Sequence, residues 1–152
     1  MNTLGIRVKP CSVIIAVYDF DNSLIINVED IKIPKALPTP ESLKYVRNSV
    51  LDILREFNIE KAALRIVESN SQTLNIRRIE IEGVIQEAFA SSRLSAYFCG
   101  QISTIAAKLN MKRADFKLFV EGEKNFEPIE NWSDHYKEEK EAILSALGAV
   151  HA

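Results

Sequence analysis

The order of β-type and helix-type segments constrains this chain more than any single motif. Three short β-rich runs fill the first third, and helix and strand patterns then alternate to the end. Thr3–Val8 is a short apolar run closed by charged residues. Ser12–Phe20 (SVIIAVYDF) is rich in β-branched and aromatic residues, which suit a pleated, half-buried surface. Asp21-Asn22-Ser23 is a polar turn. Leu24–Ile33 supplies a third strand, so the second and third runs form an antiparallel hairpin. Pro34, Pro38 and Pro40 mark the break before the first helix.

Thr39-Pro40-Glu41 opens that helix, with Thr39 as its expected cap and Pro40 in the first turn, where a missing N–H costs nothing. Leu43, Val46, Val50, Leu51, Leu54 and Phe57 recur at helical spacing, and Asn58 is the expected stop. Ala62–Val67 (AALRIV) is too brief for a helix and suits a buried parallel strand interrupted by Arg65. The remaining expectations are a long helix over Leu74–Ser91, a strand over Leu94–Phe98, and a short helix over Gln101–Leu109. Lys112–Val120 has mixed signals, with room for a helical turn. Gly122–Ser133 reads as a loop, and a last helix capped by Asp134 buries Ile143, Leu144 and Leu147. Three strands followed by αβαβα imply a mixed five-stranded sheet with helices on both faces.

The chain has 152 residues, which suits one domain over 1–152 and is enough to bury a core without staples. A net charge of −2 gives no global pull toward nucleic acid or membrane, although a local basic patch remains open. Cys11 and Cys99 lie far apart with no CxxC or Cys/His cluster, which argues against zinc. Both are expected as buried free thiols. The N-terminus lacks a secretory apolar core, and no run approaches a membrane span of about 20 residues. The expected setting is cytoplasmic, with no membrane partner.

The residues LGIRVKP, AALRIVESN and KEEKEAILSALGA together resemble the ribonuclease H-like superfamily, on its Holliday-junction-resolvase (RuvC-type) side. GIRVK followed by Ile81–Gln86 (IEGVIQ) is closer still to a family of bacterial ribonuclease H-like proteins of uncharacterised function. The resemblance implies the βββαβαβα fold, structured nucleic acid as a ligand, and a homodimer. It also implies carboxylates at the ends of the first and fourth strands and on the last helix, holding two divalent metals that cleave phosphodiesters.

Here the chain departs from the pattern. Arg7 and Arg65 stand where the resemblance implies acids, and only Glu138 and Glu141 match the acids of the last helix. A guanidinium has no free lone pair for a metal and stays protonated. The expectation is therefore a catalytically degenerate protein that works by binding, with no catalytic residue, resident metal or other cofactor. Arg7, Lys9 and Arg65 are then an anion or nucleic-acid-backbone site, because ligands of open α/β sheets bind at the strands' C-terminal edge. Alternatively, the arginines pair with Glu138 and Glu141 and fill the vacated position with ion pairs.

Two other readings remain open. One is a nuclease or resolvase with a rearranged carboxylate site, using Glu68, Glu138 and Glu141 with Mg or Mn. Asp19 or Asp21 would supply the fourth acid. The other is a protein–protein scaffold without nucleic-acid contact. Arg77, Arg78 and Arg93, and Lys108, Lys112 and Arg113, read as solvated faces, since no aromatic is interleaved for base stacking. His135 and His151 lack a partner at ligand spacing. Trp132, Phe126 and Tyr136 bracket an acidic stretch and are expected to pack it onto the body. No phosphate-binding glycine loop and no serine-hydrolase pattern is present.

Overall fold

A computed structural model describes all residues, Met1–Ala152. The strands are β1 (Asn2–Lys9), β2 (Ser12–Asp19), β3 (Leu24–Lys32), β4 (Ile59–Arg65) and β5 (Ala96–Gly100). The helices are α1 (Thr39–Glu56), α2 (Ile76–Ala90), α3 (Ile102–Lys108), α4 (Arg113–Val120) and α5 (Lys137–Ala149). They form one five-stranded sheet in the order β3-β2-β1-β4-β5. β1, β2 and β3 are an antiparallel meander, and β4 and β5 add in parallel beside β1. The expected α/β architecture is present: the elements follow the order βββαβαβα, with α4 and α5 added after α3.

Alternation along β1 sorts side chains between two cores. Leu4, Ile6 and Val8 face a core completed by Val46, Val50 and Ile53 of α1 and Ile81, Ile85 and Phe89 of α2. The opposite face packs on α3, α4 and α5 through Ile105, Phe116, Ile143 and Leu144. Thr3, Gly5 and Arg7 point that way. Thr3 Oγ1 donates to the Ala146 carbonyl at 2.6 Å. A Cβ on Gly5 would stand 2.0 Å from the Ala142 carbonyl oxygen, so only glycine lets α5 lie directly on β1. That contact sets the position of α5 over the ends of the central strands.

Several local expectations need correction. Thr39 does not cap α1: Pro38 holds the cap position and Thr39 is already helical, with no side-chain cap bond. Asn58 does end the segment, in a left-handed conformation with φ 49°. The start of α2 is fixed by Asn75, whose side chain accepts from the Arg78 N–H at 3.0 Å. β5 lies two residues further on than expected, because Ala96 to Gly100 align with Lys61 to Arg65 of β4.

The mixed segment after α3 is a helix of two turns, α4. Asp134 does not cap α5; it closes a short 3-10 turn, Trp132–Asp134. Tyr136 holds the α5 cap position instead, and its N–H donates to Glu139 Oε1 at 2.8 Å. The 122–133 loop is pinned to the body by buried Phe126, Ile129 and Trp132. Trp132 Nε1 donates to the Phe119 carbonyl at 3.0 Å. Of the thiols, Cys99 is half-buried but Cys11 is exposed, so it is not the buried thiol expected. It follows Pro10 in the turn between β1 and β2, where its side chain has no core to enter.

Candidate anion site at the edge of the central strands

Parallel pairing of β1 and β4 sets Arg7 directly opposite Arg65. Both side chains leave the sheet toward α5, since Ile6 and Leu64 fill the other face. Two cations side by side in a protein interior require compensation, and acids from three elements provide it. Glu141, on the first turns of α5, forms a contact ion pair with Arg7 Nε, with side-chain exposures of 3% and 13%. Glu68, on the loop after β4, lies 3.6 Å from Arg65 Nη2 and 3.7 Å from Arg113 Nη2. Glu82, from α2, accepts from the Val67 N–H at 3.1 Å and from Arg78 Nε at 2.9 Å.

The protonation behaviour follows from burial. Arg65 is 3% exposed, and desolvation pulls its guanidinium below the ordinary value. Glu141 opposes that shift, while neighbouring Arg7 adds to it. Glu82 is equally buried, and desolvation pushes its carboxyl up against the pull of the Val67 N–H and of Arg7 and Arg65. Arg65 also donates to the Ile66 carbonyl.

The network leaves donors over. Arg7 Nη1, Arg65 Nε and Arg78 Nη2 are buried with no hydrogen-bond partner. Buried guanidinium N–H groups without partners are costly, because desolvation goes uncompensated. Taken together, the cluster has four arginines (Arg7, Arg65, Arg78, Arg113) and three glutamates (Glu68, Glu82, Glu141), a formal excess of one positive charge.

Other sequence-selected residues fall differently. Lys9, half-buried on the same strand as Arg7, lies toward Asp30; burial pushes that carboxyl up, but the Lys32 and Ser12 hydrogen bonds and the charges of Lys32 and then Lys9 together hold it below its usual range. Glu138 is half-buried with no cation within ion-pair distance. Glu68 caps α3 by accepting from the Ile102 N–H at 3.1 Å. No three acid, histidine or cysteine side chains converge so as to hold a metal ion, and Glu68, Glu138 and Glu141 are not such a group.

Asp19 pairs in register with Asn2, five residues before Arg7. That separation is about 17 Å along a strand, so Asp19 is at the opposite end of β1 from the cluster. It caps its own turn through Asp21 and Asn22, while Asp21 pairs with the N-terminal ammonium. Arg77 is tied to the Pro10 carbonyl at 2.9 Å, and Lys108 to the His151 carbonyl at 2.8 Å. Glu82 was missed in the sequence. Its signal was there: it lies three residues before Ile85 and seven before Phe89, on the apolar stripe of α2, where an acid is out of place.

No protein-family model matches the sequence, and no curated protein matches it either. Solved structures do. Thermus thermophilus RuvC aligns over 99% of this chain and 94% of its own, with a TM-score of 0.68 and 16% identity. The T. thermophilus RuvC in complex with a Holliday junction substrate aligns over 99% and 93%, with a TM-score of 0.73 and 16% identity. The yeast mitochondrial Holliday junction resolvase aligns over 98% and 78%, with a TM-score of 0.58 and 14% identity. At these identities the likeness is one of architecture: the chain has the ribonuclease H-like fold in the form found in Holliday junction resolvases.

Proposed function

We propose that this protein binds structured nucleic acid through the C-terminal edge of its central strands and does not cut it. The observation carrying this reading is the arginine cluster itself. Arg7 and Arg65 are register partners at the strand ends, and Arg7 Nη1, Arg65 Nε and neighbouring Arg78 Nη2 lack partners. A phosphate offers the acceptors they need, in the geometry guanidinium favours. Arg113, at 43% side-chain exposure, is the outermost cation and the first a backbone phosphate would meet. Lys9 extends the same strand end. The solved relatives in complex with Holliday junction DNA make a branched duplex the first ligand to test.

The absence of cleavage follows from charge. Superfamily chemistry needs dications where Arg7 and Arg65 stand, and fixed cations there repel them. A homodimer belongs to the same reading, because Leu74, just before α2, and Ile76 and Ile79, in its first turn, are 55%, 75% and 39% exposed and give a second copy apolar surface to cover. The setting is the cytoplasm, where nucleic acid is available; no helix is long and apolar enough to cross a membrane.

Binding of a four-way DNA junction across a salt series tests the proposal. Affinity should fall steeply with salt if several phosphates are engaged, and Arg113→Glu should weaken it and flatten the slope. Salt-independent binding, or none, removes the reading and leaves a protein–protein scaffold.

A further inference from the structure

Away from the arginine cluster, β3 forms one edge of the sheet. Residues 23–28 line a groove of about 780 Å³ whose other wall is the segment 127–135. Six consecutive residues contribute, odd and even alike, so the groove follows the edge of the strand rather than one of its faces. Leu24 and Ile26 give it an apolar side, 51% and 41% exposed. Glu127, Glu130 and Asp134 give it an acidic side, and no lysine or arginine lines it. None of these three acids has a cation within ion-pair distance among the salt bridges of the chain.

The local ladder disfavours continuous main-chain strand addition by any occupant, and the charge of the walls decides between occupants. Val17 pairs with Asn27 and Tyr18 with Ile25, so Ile26 is an extra residue in β3. A bulge of this kind kinks and twists an edge and interrupts continuous strand addition. A second copy laid edge to edge would meet that break. It would also bring two acidic walls together. Charge complementarity points instead to a cationic ligand, and the exposed leucine and isoleucine call for apolar side chains between its cations.

We propose that the groove between β3 and residues 127–135 docks a short, extended segment of a partner protein in which lysines or arginines alternate with apolar residues. Its apolar side chains rest on Leu24 and Ile26. Its cations reach Glu127, Glu130 and Asp134. This site is independent of the arginine cluster, which has the opposite charge and takes the opposite class of ligand.

The test titrates the full chain with a fluorescent seven-residue peptide of alternating lysine and valine while backbone amide NMR shifts are followed. Controls are a lysine–glycine and a glutamate–valine peptide of equal length. Shifts should concentrate in 24–28 and 127–135, with the lysine–valine peptide binding best. Glu130→Lys combined with Asp134→Lys should weaken it about tenfold or more at unchanged melting temperature. Arg113→Glu should leave it unchanged, which separates this site from nucleic-acid binding. Equal binding of the lysine–glycine peptide, shifts centred elsewhere, or a dimer that buries β3 would each overturn the proposal.

Discussion

Gly5 and Ala142 meet backbone to backbone, with the missing Cβ of Gly5 pointing 2.0 Å from the Ala142 carbonyl oxygen. This contact lets α5 lie flat on β1 and brings Glu141 over Arg7 two residues along the strand. β1 cannot retreat, since it is hydrogen-bonded on both sides, and α5 is held on it by the Thr3 hydrogen bond to the Ala146 carbonyl and by buried Ala142, Ile143 and Leu144. Gly5→Ala should therefore destabilise the chain by about 3 kcal/mol, the upper end of ordinary overpacking. Urea denaturation measures it. A loss below about 1 kcal/mol would mean that α5 does not sit where described.

Removing Glu141 leaves Arg7 and Arg65 buried with less compensation. Glu141→Ala should cost about 3–5 kcal/mol, the range for breaking a buried pair from one side. Replacing both partners, Arg7→Met with Glu141→Leu, should recover most of that loss, because an apolar pair has no desolvation penalty. A double-mutant cycle by chemical denaturation decides. Additive losses would contradict the ion pair.

The two thiols should separate by pH and by reagent. Cys11 is exposed and should react with an alkylating reagent at once in the folded state. Burial pushes the Cys99 thiol up to about 11, with Glu82 adding to the shift. A raised value means that the stabilisation from keeping this thiol neutral is complete below 9.0 and is lost as pH rises through about 11. The stability difference between wild type and Cys99→Ala should thus shift against the wild type between pH 9 and 11. Equal labelling rates for the two thiols at pH 8 would contradict the burial of Cys99.

Asn58 holds φ at 49° between α1 and β4. Asn58→Gly should be neutral or slightly stabilising, while Asn58→Val should cost about 1–3 kcal/mol through backbone strain. Thermal melts compare the two, and similar values would argue against a left-handed residue at this turn.

Light scattering tests the dimer. Ile76→Lys adds charge to the most exposed apolar side chain of α2 and should convert a dimer to a monomer at unchanged secondary structure. A monomer in the wild type removes that part of the reading.

The architecture was legible because periodicity changes along the chain. SVIIAVYDF reads as strand and the Leu43-to-Phe57 spacing as helix from side chains alone, and the order of such segments nearly determines the layers. Caps were less legible. Thr39 and Asp134 have the right side chains for capping, but α1 begins one residue earlier, with the Pro38 carbonyl accepting from the Ser42 N–H at 2.9 Å, and Asp134 is taken up in the turn of buried Trp132. Within the site, Arg7 and Arg65 could be paired from strand ends, and Glu141 from its spacing on the last helix. Glu82 left a local mark, an acid on the apolar stripe of α2, but neither it nor Arg78 could be assigned to the cluster, because α2 reaches the strand ends from the other face of the sheet and that approach is set by tertiary packing. The fate of Asp19 also needed the register, which puts it at the far end of β1.

The most direct test incubates the purified protein with four-way junction DNA in manganese and follows binding and strand cleavage in the same samples. The arginine cluster predicts a salt-sensitive complex in which every strand stays intact, with no calorimetric signal for manganese binding in the absence of DNA. Strand cleavage that depends on manganese and is lost in Glu141→Gln would contradict the account.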